Sequence, residues 1–142
     1  MKYASLVTLT LLLAAAAPAS AEPTPVHAAA CVAALESEAE GMAQQYRDGK
    51  LEIESELVHR VQQGFAFIGS AYKQGLRGDE AALLLKAAEK AQEDLPAAEL
   101  AARQAKCRSE GADLLAHANF LEHAFVVRAA QRRVDKLKRT TS

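Results

Sequence analysis

TPVHAAACVAALESEAEGMAQQYRDG, residues 24 to 49, is a helix written out with both of its ends. Thr24 can cap the first turn with its side-chain oxygen, and Pro25 suits the first helical position, where no N–H is needed. Between the ends, Val32, Leu35, Ala39, Met42 and Tyr46 recur at steps of three and four, the helical period. Asp48-Gly49 stops the run, because glycine takes the left-handed conformation that ends helices.

The same grammar repeats downstream. A second helix is predicted from about Lys50 to Gln74, with Val58, Val61, Phe65, Ile68 and Tyr72 as its buried stripe. Gly64 and Gly69 weaken it locally and suggest the close approach of another helix. Gly75-Leu76-Arg77-Gly78 turns the chain, and Asp79 is placed to cap a third helix carrying Leu84, Ala88, Ala91 and Leu95. After Pro96 the pattern runs on through Leu100, Cys107, Leu114, Ala118, Leu121 and Phe125. Asn119-Phe120-Leu121-Glu122 resembles a capping box, so that long run is expected to break near Asn119. Alanine recurs and β-branched residues are sparse, so the fold class is all-α: an antiparallel bundle of four to five helices.

Residues 1 to 21 read as a secretory signal peptide. Lys2 gives the positive start, Leu6 to Ala17 the apolar run, and Ala19-Ser20-Ala21 the small residues of a cleavage site after Ala21. The run is shorter than the roughly 20 residues of a bilayer span. Residues 22 to 142 then form a single domain, with 22 to 127 as the bundle body and 128 to 142 as a basic C-terminal end. A periplasmic or secreted protein is expected. Ala29-Ala30-Cys31 also resembles a lipidation box, but Ala28 replaces its branched residue and Cys31 lies far past the apolar run.

That address matters for the only two cysteines, Cys31 and Cys107. In an oxidising compartment they are expected to pair. Closing so long a loop stabilises a fold by about 4 kcal/mol when counted as chain entropy. The alternative is a nucleophilic Cys31 with His27 one turn before it, which oxidation would silence.

Composition narrows the function classes. The 142 residues are 50% hydrophobic with a formal net charge of −1, which disfavours disorder and a nucleic-acid partner alike. No catalytic constellation is found. Glu36, Glu38 and Glu40 lack a sequence reason to be buried, and Ser37, Ser55, Ser70, Ser109 and Ser142 lack a nucleophile-elbow context. No glycine-rich phosphate loop follows a strand. The chain is read as non-catalytic, with no cofactor implied.

Charge is unevenly spread. Residues 22 to 56 hold eight acidic and two basic side chains, whereas 128 to 142 hold six basic and one acidic. Arg128, Arg132, Lys136 and Arg139 share one helical face, with Val126, Ala130, Val134 and Leu137 roughly opposite. Such an end either packs its apolar side on the bundle beside the acidic first half or meets an anionic envelope surface. The aromatic residues Phe65, Phe67, Tyr72, Phe120 and Phe125 could line a ligand pocket, but a set at helical spacing reads more readily as core. Phe67 points away from the Phe65 stripe and, if exposed, would mark a contact surface.

The leading expectation is a non-catalytic module, such as an adaptor, inhibitor or immunity-type protein, that binds another envelope or secreted protein. Its candidate surfaces are Glu36, Glu40, Glu52, Glu56, Phe67, Arg128, Arg132, Lys136 and Arg139. The first alternative is metal binding by Glu52, Glu56 and His59 or by Asp113, His117 and His123, spaced to share helix faces. The second is attachment to the envelope through the basic C-terminal helix, without a membrane-spanning segment.

Overall fold

The computed structural model describes residues 22 to 140, and the predicted signal peptide lies outside them. Five α-helices follow in order: α1 Pro25–Arg47, α2 Glu54–Lys73, α3 Gly78–Glu93, α4 Ala97–His117 and α5 Phe120–Arg139. There is no strand among the described residues. None of these helices is long and apolar enough to cross a membrane.

The ends are set by local chemistry. The Thr24 side chain accepts from the His27 N–H, with Pro25 opening α1. Gly49, at φ 106°, turns the chain after α1 in a conformation that other residues resist. A 3₁₀ turn, Leu51–Ile53, precedes α2, so the second helix starts later than its sequence pattern suggests. α3 begins at Gly78 behind Arg77 rather than behind Asp79, which lies in the first turn and complements the helix dipole there. The break at Asn119 is present: its side chain accepts from the Glu122 N–H while Glu122 accepts from the Asn119 N–H.

α1 and α2 form a central hairpin, and α4 and α5 cover successive halves of it. At one end, Ala28, Cys31, Leu35, Phe67, Ala71 and Cys107 make a core cluster shared with α4. At the other, Ala39, Met42, Leu57, Val61, Val134 and Leu137 make a cluster shared with α5. α3 packs on α1 and contributes no buried residue. The Cys31–Cys107 disulfide joins α1 to α4 with a Cα separation of 5.3 Å.

Four expectations about packing are overturned. Phe67 is 0% exposed and belongs to the core, whereas Phe65 is only half-buried and Tyr72 is 60% exposed. The inward face of α2 is thus rotated from the predicted stripe, and it includes Arg60, Gln63 and Ser70, polar residues that a hydrophobic pattern passes over. Leu121, Phe120 and Phe125 are exposed at 77%, 84% and 59%. The apolar run through α5 therefore does not continue as core, because α5 buries the opposite face through Val126, Ala130, Val134 and Leu137. Finally, Gly64 and Gly69 face open space. The close helix approach occurs at Gly111 instead, where a Cβ would meet the Gln63 Cβ at 2.9 Å.

Candidate functional site

The displaced apolar residues gather on one surface. Ile68 and Tyr72 from α2, Leu114 and Leu115 from α4, and Leu121 and Phe125 from α5 line an open groove of about 560 Å³. It lies where α4 ends and α5 begins, so the break at Asn119 shapes it. Large apolar side chains left this open are characteristic of surfaces that meet a partner.

One polar lock closes the rim. The Lys73 ammonium donates to Glu122 at 2.9 Å and stands 3.7 Å from Glu22. The hydrogen bond to Glu122, first among the causes, holds the Lys73 ammonium above its ordinary range. The same bond, with the Asn119 N–H second, holds the Glu122 carboxyl below its own. At the far edge the Arg77 guanidinium lies 3.4 Å from the Tyr72 ring centroid, a cation–π contact that fixes the ring.

Beyond the groove, Leu121, Phe125, Arg128, Arg132, Lys136 and Arg139 succeed one another at steps of three and four, all exposed. α5 thus presents a single outward strip, apolar in its first half and basic in its second. The remaining cations of this helix turn inward. Arg133 pairs with Glu36 and lies 3.9 Å from Glu40, and Lys138 pairs with Glu54. The acidic start and basic end of the chain therefore neutralise each other in part, while the strip stays available.

The other candidates are dispersed. Glu36 is engaged by Arg133, and Glu56 by Arg60 at 3.2 Å, whereas Glu40 and Glu52 are exposed. Phe67, being buried, offers no contact surface. Glu52, Glu56 and His59 do not converge with donors from another helix. Asp113, His117 and His123 do not converge either: the His117 Nδ1 is hydrogen-bonded to the Asp113 backbone carbonyl at 2.8 Å. Among the described residues, one group brings three metal-ligating side chains within 4.8 Å of one another: His27, Cys31 and Glu110.

Glu110 escaped the sequence reading. Its signal was available, because Glu110 lies one turn after Cys107 as His27 lies one turn before Cys31. Pairing the cysteines brings those flanking turns together. The His27 Nε2 is 2.6 Å from Glu110 Oε2 and 3.7 Å from Cys31 Sγ. With Cys31 oxidised, no thiol is left for the nucleophilic role considered for the His27–Cys31 pair.

A polar network lies deeper. Glu38 Oε1 accepts from Arg108 at 2.7 Å and is 3.2 Å from the Arg60 Nε, linking α1, α2 and α4. The Arg60 Nε lies at ion-pair distance without the alignment of a hydrogen bond, and its Nη1 donates to Gln63 at 2.7 Å. Burial, opposed by Glu38, lowers the Arg60 guanidinium from its usual value. This network ties α1, α2 and α4 to one another within the bundle.

Compared with models of protein families, with curated proteins and with solved structures, the chain has no match in any of the three.

Proposed function

We propose that this protein is a secreted or periplasmic, non-catalytic binding module that docks another protein along the outward strip of α5. The partner segment that suits the strip is an amphipathic helix with an apolar anchor followed by acidic residues. One observation carries the reading: Leu121 and Phe125, open to the groove, lead directly into Arg128, Arg132, Lys136 and Arg139 on the same helix face. Burying each large apolar side chain contributes about 1.5–3 kcal/mol, which supplies affinity. The basic half contributes orientation and association rate more than strength.

The test is capture of envelope proteins by residues 22 to 142, with site-directed variants. Leu121→Asp and Phe125→Asp are expected to weaken capture by about tenfold or more. Arg128→Glu with Arg132→Glu is expected to slow association and reduce its salt dependence. Leu83→Asp, at an exposed site on α3, is the control expected to leave capture intact. Capture indifferent to the strip would overturn the proposal. So would strip-dependent self-association in sedimentation, or strip-dependent binding to anionic vesicles with no protein partner.

A further inference from the structure

The disulfide has unusual company. His27 Nε2 and Glu110 Oε2 stand beside Cys31 Sγ, and these three atoms are mutually within 4.8 Å. Both His27 and Glu110 line a cleft of about 580 Å³ that also carries Asp113 and His117. The cysteines themselves are buried, at 0% and 1% exposure. Cys107, bonded to Cys31, adds a second sulfur, and two sulfurs, an imidazole and a carboxylate from two helices are the donor types of a four-coordinate zinc-type site.

We infer that the reduced protein binds one borderline-soft divalent cation, such as zinc, through Cys31, Cys107, His27 and Glu110, and that the disulfide is the alternative state of that site. At Cys31, His27 and Glu110 the spacing is near what the metal needs. Around a tetrahedral zinc ion, sulfur and nitrogen ligands stand about 3.5 Å apart, and nitrogen and oxygen about 3.3 Å. The Cys31 Sγ to His27 Nε2 distance is 3.7 Å, and His27 Nε2 to Glu110 Oε2 is 2.6 Å. The Glu110 side chain, one-third exposed, must retreat a little from His27. The two sulfurs must separate, which the breaking of their bond allows.

The oxidised protein offers no thiolate, so it lacks the charge that holds such an ion. A dithiol reductant supplies two electrons and two protons: it leaves as a disulfide, while the Cys31–Cys107 bond opens to two thiols. Metal uptake then forms two metal–sulfur bonds and releases both thiol protons to water, with the His27 nitrogen and the Glu110 carboxylate completing the shell. Asp113 and His117 lie in the same cleft as polar groups along the approach of the cation.

Cobalt(II) titration of residues 22 to 142 tests the inference, because thiolate–cobalt charge transfer absorbs in the near ultraviolet. After phosphine reduction, with helicity verified by circular dichroism, one cobalt per chain is expected with that band. The oxidised protein is expected to show none. His27→Ala and Glu110→Ala should each weaken uptake by about tenfold or more while leaving the oxidised fold helical. If reduction unfolds the chain, Cys107→Ser presents Cys31 beside His27 and Glu110 without a reductant, and a band lost in Cys107→Ser with His27→Ala is then expected. A folded reduced protein without the band, a band indifferent to His27 and Glu110, or its absence from a folded Cys107→Ser variant would each overturn the assignment. So would failure of that variant to fold after reduction has also unfolded the wild type.

Discussion

Gly111 of α4 sits so close to Gln63 of α2 that a Cβ added to it would lie 2.9 Å from the Gln63 Cβ and 3.2 Å from its carbonyl oxygen. The absent side chain is what allows the two helices to touch. Gly111→Ala is therefore expected to destabilise the fold by about 1–2 kcal/mol, the clash outweighing the better helix propensity of alanine. Gly64→Ala and Gly69→Ala, where nothing stands within 4 Å, should stabilise by about 0.5–1 kcal/mol each. Urea unfolding midpoints of the three variants check both signs.

Phe67 and Phe65 form a second contrasting pair. Phe67 is fully buried against Cys31, Leu35 and Ala71, with the His27 imidazole edge-on at 6.5 Å. Truncation to alanine should cost about 3–5 kcal/mol. Phe65 packs only partly against the other cluster, and Phe65→Ala should cost clearly less. Equal losses in thermal unfolding would contradict the assigned face of α2.

Glu38 joins two arginines from different helices, and its removal leaves Arg60 buried beside Arg108 without their shared carboxylate. Glu38→Ala is expected to destabilise by about 2–4 kcal/mol. Replacing Glu38 and Arg60 together by apolar residues of similar volume should recover part of that loss. A double-mutant cycle in urea measures the coupling.

The Lys73–Glu122 lock gives the groove rim a pH dependence. Glu122 is held below its ordinary value, so the contact contributes above the usual carboxylate range and is lost as pH falls through the lowered value. Lys73 is held above its ordinary value, so the contact is also lost as pH climbs through that raised value. Amide exchange at Asn119, Glu122 and His123, whose N–H groups are bonded at this cap, should thus stay slow, relative to intrinsic rates, across the neutral range and quicken as pH falls below the usual carboxylate range. Glu122→Gln should flatten that acid limb.

The helices and their ends were largely legible because each is decided within a few residues. Thr24 with Pro25, and Asn119 with Glu122, carry their own hydrogen-bonding partners in local sequence. The inward face of α2 was not legible, since it holds Arg60, Gln63 and Ser70. What makes Arg60 tolerable inside is Glu38 from another helix, a relationship with no local signature. The pattern through Val58, Phe65, Ile68 and Tyr72 was genuine, yet Ile68 and Tyr72 look outward over the groove. Apolar periodicity records which face avoids water without saying whether this chain or another covers it. Glu110 was missed for a related reason: a lone glutamate on a helix acquires significance only when the disulfide sets it against His27.

The capped joint between α4 and α5 has a mechanical corollary. The backbone ladder of α4 closes with Ala118 bonded back to Leu115, and that of α5 restarts with His123 bonded to Asn119. Leu114 and Leu115 stand on one side of this joint, Leu121 and Phe125 on the other. Because Val126, Ala130, Val134 and Leu137 anchor α5 in the core and Glu122 ties its first turn to Lys73, the two walls keep a single spacing. A hollow of fixed span favours an occupant whose shape already matches it.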